Sequence, residues 1–135
     1  MAISDLGDLV ELPLVATLAT YRRDGTVLLS PVWHEYRDGG FNVCTPSVEV
    51  KARHLRRDPR AVLLVAESQP PYRGVELTTR ATFTQEGVRE ALIRLATRYL
   101  GGEAQGRAYV ETATDDLIVR LVPGEVRAWD FADLS

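Results

Sequence analysis

The sequence has very few metal-binding or disulfide-forming side chains: one cysteine, Cys44, and two histidines, His34 and His54, in 135 residues. A single cysteine excludes an intrachain disulfide, and neither CxxC nor HExxH spacing occurs. We therefore expect no structural metal. The chain also lacks a glycine-rich phosphate loop after any predicted strand, which excludes the two commonest nucleotide-binding signatures.

The sequence also lacks long apolar runs and an excess of positive charge. No run approaches the roughly 20 residues that a membrane-spanning helix needs. The start MAISDLGDLVEL has no basic segment followed by a long apolar one, so we expect a cytoplasmic protein without membrane contacts. The net charge of -3 argues against a general nucleic-acid binder. The length and composition predict one domain over residues 1–135.

What the chain does contain, in its first part, is β-strand patterns separated by turns. Residues 14–20, 27–36 and 41–45 are rich in strand-forming side chains and predict an antiparallel three-stranded meander. An Asp-Gly pair, Asp24-Gly25, marks the first turn, and the RDGG stretch at 37–40 marks the second. Pro31 within the second strand indicates an edge or a bulge.

A basic helix follows the third strand. Thr45 is a good N-cap and Pro46 suits the first helical position, so the sequence predicts a helix from there to Asp58-Pro59. Its inward face would carry residues 48, 52 and 55. Lysine and arginine near a helix N-terminus are mildly unfavourable, which indicates an anion nearby or a solvated helix face.

The rest of the chain alternates between strands and helices. It predicts a buried strand at 61–68, a half-exposed strand at 75–84, an amphipathic helix at 86–100, a flexible connector at 101–106 and two strands around residues 123–124. Six or seven mostly antiparallel strands with two or three helices predict a small closed or partly closed β-barrel of the α+β type. A sandwich is the alternative.

The order of several segments resembles a known family: LATYRRDGTVLLSPVWHEYRDGGFNVCT, KARHLRRDPRAVLLV, PYRGVELTTRATF, RYLGG and VRLVPGEVRAW. Together they resemble the flavin-binding split-barrel superfamily of pyridoxamine phosphate oxidase, and most of all its small reductases that use the deazaflavin coenzyme F420. The resemblance implies a mostly β split barrel that forms a homodimer, with the cofactor in a groove between protomers. It also implies hydride transfer from the reduced coenzyme to a small organic substrate.

The resemblance further implies which residues bind the cofactor. Thr45, Lys51 and Arg53 would hold its phosphate, because helix N-terminal N–H groups and a nearby lysine stabilise a phosphate dianion. The strand SPVW would run beside the ring system. Its residues Ser30, Val32 and Trp33, the strand-end Cys44, and the loop residues Tyr72 and Arg73 complete the implied site.

Other residues qualify this interpretation. Glu49 departs from the family pattern, and a carboxylate there would repel a phosphate. Trp33 is equally compatible with core packing, and Trp129 with core or dimer packing. Neither a catalytic acid nor a base is predicted, since His34 has no evident partner. A basic track favours F420, whose tail is an oligoglutamate, over FMN; it consists of Arg22, Arg23, Arg56 and Arg57.

Two other functions remain open at the level of sequence. One is an FMN-dependent enzyme of the same superfamily. The other is a protein that holds a cofactor, haem or another tetrapyrrole without catalysis, because one fold hosts many functions.

Overall fold

The computed structural model describes residues 1–113 and 115–132. Its β-strands are β1 Ala16–Tyr21, β2 Val27–Val32, β3 Glu35–Arg37, β4 Gly40–Pro46, β5 Arg60–Ala66, β6 Gly74–Thr84, β7 Asp116–Leu121 and β8 Val126–Trp129. The α-helices are α1 Val50–Arg57, α2 Val88–Leu100 and α3 Glu103–Val110, and two short 3-10 helices lie at Ile3–Leu6 and Leu9–Glu11.

The strands form one curled antiparallel sheet. Seven of them pair in the order β2-β1-β5-β6-β7-β4-β3, and β8 pairs with β6. The long strand β6 joins the two halves, because its first part pairs with β5 and β8 and its last part with β7. Side chains at alternate positions fill the inside of the curl, among them Leu18, Leu63, Leu77 and Phe41. The predicted split barrel of the α+β type is confirmed.

The predicted three-stranded meander is wrong. The β1–β2 hairpin forms around Asp24-Gly25, but β2 ends at Val32 and β3 pairs with β4 at the opposite end of the sheet. The break at residues 33–34 has a physical cause: the His34 N–H donates to the Tyr99 hydroxyl of α2, which itself donates to the Leu14 carbonyl. As its Pro31 indicated, β2 is an edge strand.

The predicted start of the basic helix is also wrong. Thr45 and Pro46 still belong to β4, where they pair with Leu117 and Asp116 of β7, and α1 begins only at Val50 with Glu49 as its N-cap. Strand pairing therefore overrides the local capping signal. Ala52 and Leu55 are buried as predicted, whereas Val48, expected inside, lies before the helix and is 74% exposed.

The stretch at 101–106, predicted to be a flexible connector, contains the first half of α3. At Gly106, inside this helix, α3 crosses α2 so closely that there is no room for a side chain. A Cβ there would lie 2.4 Å from the Thr97 Oγ1 and 2.8 Å from the Thr97 backbone N. Helix α2 packs beside β4 and β7, α3 packs on α2, and both helices contribute to one wall of the groove described next. Across the described part of the chain, no helix is long and apolar enough to cross a membrane.

Candidate functional site

A groove of about 650 Å³ opens between the end of β2, strand β4, the start of α1 and the α2–α3 hairpin. Its walls combine apolar side chains, a single cation and two carboxylates. The lining residues are Pro31, Val32, Trp33, Cys44, Pro46, Val48, Lys51, Leu92, Leu95, Tyr109, Thr112, Ala113, Asp115 and Asp116. This mixture of apolar surface and few polar groups is typical of ligand sites.

An aromatic stack fixes one wall of the groove. The Trp33 indole lies parallel to the Tyr99 ring, with centroids 5.0 Å apart, and contacts the Tyr109 ring at 5.3 Å. The hydroxyl of Tyr99 is itself held by the Leu14 carbonyl at 2.6 Å. Trp33 therefore has two roles: it packs against Tyr99, and it also lines the groove.

The cation of the groove is Lys51, in the first turn of α1. It is the single lysine in the sequence and makes no ion pair with any residue of the described ranges. The first N–H groups of any α-helix lack intrahelical acceptors, and the Glu49 side chain does not cap them here. A free ammonium group and unsatisfied helix amides together suit a phosphate.

Two carboxylates, Asp115 and Asp116, line the groove together with Lys51. Burial and the neighbouring Asp115 raise the pKa of Asp116, while Lys51 lowers it. The Asp115 carboxylate accepts a hydrogen bond from the Ser47 hydroxyl, and the Asp115 carbonyl accepts one from the Ser47 N–H at 2.9 Å. Both carboxylates therefore lie close to the start of α1, where they oppose an anion, and Lys51 and the helix amides must outweigh them for a phosphate to bind there.

Cys44 contributes a neutral thiol. Its burial, helped by the carboxylates of Asp116 and Glu35, raises the pKa of Cys44 to about 12. The side chain therefore carries no thiolate near neutral pH and acts as a small apolar surface rather than a nucleophile.

The groove brings together four of the residues that the sequence predicted for a cofactor site: Val32, Trp33, Cys44 and Lys51. Ser30 lies two residues before Val32 in β2 and does not line the groove. Thr45 is buried, and its hydroxyl donates to the Pro46 carbonyl at 3.2 Å.

The remaining three predicted residues lie elsewhere. Arg53 faces a smaller cavity on another side of α1. Tyr72 is 42% exposed on the β5–β6 loop. The Arg73 guanidinium donates to Glu67 at 2.8 Å, to Asp8 at 2.7 Å and to the Leu6 carbonyl at 2.9 Å. Within this chain Arg73 thus ties the N-terminal segment to the loop.

Sequence reasoning missed the wall made by α2, α3 and the start of β7. Leu92 and Leu95 were visible only as the apolar stripe of an amphipathic helix. Tyr109 belongs to α3, a third helix whose position the sequence did not indicate. The adjacent acids Asp115 and Asp116, just before a predicted strand, were the one available signal. No three metal-ligating side chains cluster anywhere in the part of the chain that the structure describes.

Comparisons with known proteins agree with this fold. Residues 5–130 match the family model of pyridoxamine 5'-phosphate oxidase. The crystal structure of the conserved hypothetical protein Rv2991 from Mycobacterium tuberculosis is 30% identical, with a TM-score of 0.81 over 99% of this chain and 88% of that one.

Two more distant structures share the fold alone. An F420 reductase is 22% identical, with a TM-score of 0.73 over 89% of this chain and 94% of that one. HutZ, the heme storage protein from Vibrio cholerae, is 15% identical, with a TM-score of 0.72 over 95% and 93%. A comparison with curated protein sequences finds no match. The family model covers nearly the whole chain, and the chain belongs to the pyridoxamine 5'-phosphate oxidase family.

Proposed function

We propose that the groove binds coenzyme F420 and that the protein is an F420-dependent reductase, which passes hydride from the reduced coenzyme to a small organic substrate. The observation that carries this proposal is the pairing of an apolar groove with Lys51 at the start of α1. A flat ring system needs the apolar walls, and a phosphate needs the cation and the helix amides.

Different residues of the groove would bind different parts of the coenzyme. Lys51 and the first amides of α1 neutralise the phosphate and fix its position. Val32, Leu92 and Leu95 exclude water from the ring, and Trp33 is held by Tyr99 so that its position does not change on binding. The bound coenzyme supplies the hydride, and the chain supplies proximity and orientation.

A band of arginines supports F420 over FMN. Arg56 donates to the Ser47 carbonyl at 2.9 Å, and Ser47 contacts Asp115 at the edge of the groove. Arg23 and Arg57 line a smaller cavity on another face of α1, and Arg22 lies near the same cavity, at the β1–β2 turn. An oligoglutamate tail leaving the groove would meet these cations, whereas FMN has no tail to use them.

Storage of haem has less support from this groove. Neither histidine lines it: His34 is fully buried, and His54 lies at the smaller cavity on another face of α1. Imidazole is a common haem ligand, and Cys44, held as a thiol, is a poor one.

We also propose that the protein acts as a homodimer. The edge strand β2 exposes Val27 at 42% and Leu29 at 65% on the outer face of the sheet, and Val15 before β1 is 56% exposed. Exposed apolar groups that lie together favour association. Because the end of β2 lines the groove, a partner against this strand would lie close to the cofactor.

The single lysine gives a direct test of the groove as the coenzyme site. An amine-reactive reagent labels only Lys51 and the N-terminus. Saturating F420 is expected to protect Lys51 and leave N-terminal labelling unchanged. Equal labelling of Lys51 with and without bound F420 would contradict the site. Oxidation of reduced F420 on addition of electron-poor alkenes then tests for turnover, and binding without any oxidation would contradict the reductase.

A further inference from the structure

A second cavity, of about 280 Å³, lies on a different face of α1 from the groove and shares no lining residue with it. Three arginines and a histidine line it, with Val50 as the remaining side chain: Arg23, Arg53, His54 and Arg57. Val50, Arg53, His54 and Arg57 follow the i, i+3, i+4, i+7 spacing and therefore share one helix face. Arg23 approaches them from the β1–β2 turn.

The positive charge of this cavity is only partly balanced by the chain itself: Asp58, just after α1, interacts electrostatically with Arg57 but forms its ion pair with Arg60. Arg23, Arg53 and Arg57 make no ion pair with any residue in the ranges 1–113 and 115–132. Arg57 donates to the Tyr21 carbonyl, while the guanidinium groups of Arg23 and Arg53 have no hydrogen-bond partner within the same ranges. The chain has 19 acidic residues, so the lack of pairing here is local. Clustered like charges repel, and a bound anion would remove that repulsion.

His54 couples this cavity to pH. The Thr20 hydroxyl and His54 Nδ1 are hydrogen-bonded at 3.0 Å, which fixes the ring and leaves Nε2 without a partner among the described residues. Burial first, and then the charges of Arg57, Arg22 and Arg53, lower the pKa of His54. The groups around this ring come from α1, from Thr20 of β1 and from the β1–β2 turn, and none of them is a carboxylate paired to it. The negative charge of a bound anion would offset the charges of these arginines and so raise the pKa of His54.

We propose that this cavity is a second, anion-binding site that takes a compact polyanion of phosphate or carboxylate groups, and that His54 takes up a proton when the anion binds. The polyanion is either the tail of a coenzyme in the groove or a separate small molecule, since both offer the same chemistry to arginine. By linkage, an anion that favours the charged imidazole binds more tightly at lower pH.

The test uses inorganic trimetaphosphate, which stays fully ionised between pH 6 and pH 8, in calorimetric titrations at low salt without any coenzyme. The wild-type protein is expected to bind it, several-fold more tightly at pH 6. Arg53→Gln is expected to weaken binding roughly tenfold. Arg89→Gln, the control, removes an equal charge from an exposed position on α2 and should change little. His54→Asn should bind equally at both pH values.

Several outcomes would overturn the proposal. They are no binding by the wild type at millimolar anion, equal losses in the two arginine variants, and a wild-type affinity that does not depend on pH. The melting temperature separates binding from folding, because removing one of several repelling cations should leave it unchanged or raise it. A fall in the melting temperature of Arg53→Gln with unchanged affinity would assign Arg53 a structural role instead.

A competition experiment identifies the source of the anion. If saturating trimetaphosphate raises the dissociation constant of F420 in the wild type but not in Arg53→Gln, the cavity takes the coenzyme tail. If F420 binding is unaffected, the cavity serves a separate polyanion, and either result supports the site. Failure of F420 to bind at all would contradict the proposed reductase and leave the trimetaphosphate result standing.

Discussion

Among single residues, Lys51 carries the largest share of the proposed cofactor site. Lys51→Ala removes the one ammonium group of the groove, and the loss of a charge-assisted contact to phosphate should raise the F420 dissociation constant by roughly tenfold or more. The melting temperature should fall only slightly, because Lys51 makes no ion pair within the described ranges and its electrostatic effect on Asp116 is smaller than that of burial. Arg107→Ala on α3 is the control, and an unchanged affinity in Lys51→Ala would exclude the phosphate assignment.

His34 should make the protein sensitive to acid. It is fully buried, neither ring nitrogen has a hydrogen-bond partner in the described part of the chain, and burial, then the charge of Arg98, lowers its pKa from 6.5 to about 4. Below pH 6.5 the unfolded chain takes up a proton that the folded chain refuses. The free energy of unfolding should therefore fall by up to about 3 kcal/mol as the pH drops toward 4.

The variant His34→Leu tests this assignment. Urea denaturation at a series of pH values measures the free energy of unfolding. Between about pH 6.5 and pH 4 this free energy should change less with pH in the variant than in the wild type. Parallel curves for the two proteins would show that His34 is not the source of the acid sensitivity.

At the scale of elements, local patterns predicted most strands and the long helix, while tertiary contacts decided their ends. The Asp24-Gly25 turn, the end of α1 at Arg57 and the amphipathic α2 follow directly from the sequence. Thr45-Pro46 has the pattern of a helix start, yet pairing with β7 keeps it in β4. No local signal shows that residues 33–34 break a strand, because the cause is the distant Tyr99 hydroxyl.

The candidate site was predictable to a similar extent. Val32, Trp33, Cys44 and Lys51 lie on segments close in sequence, which a family resemblance can identify. Tyr109 and Asp116 reach the groove only because α3 packs on α2 and β7 pairs with β4. A glycine-rich segment that forms a helix through close packing cannot be distinguished from a connector by its composition.

The packing of α3 on α2 should control the shape of the groove. In Gly106→Ala the added methyl group would meet Thr97, so α3 must move and carry Tyr109 with it. Such overpacking costs about 1–3 kcal/mol of unfolding free energy, and coenzyme binding should weaken with it. Ala108→Ser, at an exposed position of the same helix, is the control for denaturation and titration. If Gly106→Ala has the same unfolding free energy and the same coenzyme affinity as Ala108→Ser, the close crossing of α3 over α2 is needed for neither stability nor binding.

At the scale of the whole molecule, the proposed dimer interface predicts that a single substitution can convert the dimer to a monomer. Leu29→Arg places a charge on the exposed outer face of β2, where burial against a partner would be costly. Light scattering after gel filtration should give a dimer for the wild type and a monomer for Leu29→Arg. Leu100→Arg, on the exposed end of α2, should remain dimeric. A monomeric wild type, or equal masses for the two variants, would contradict this interface.

The most direct test of the proposed function is a titration of the purified protein with F420 and, separately, with FMN. In a Trp129→Phe background, Trp33 is the sole tryptophan and lies in the groove wall, so its fluorescence reports binding there. An F420 reductase should bind F420 more tightly than FMN, and the preference should shrink as salt screens the arginine band. Tighter binding of FMN, or no binding of either at micromolar concentration, would contradict the assignment to F420.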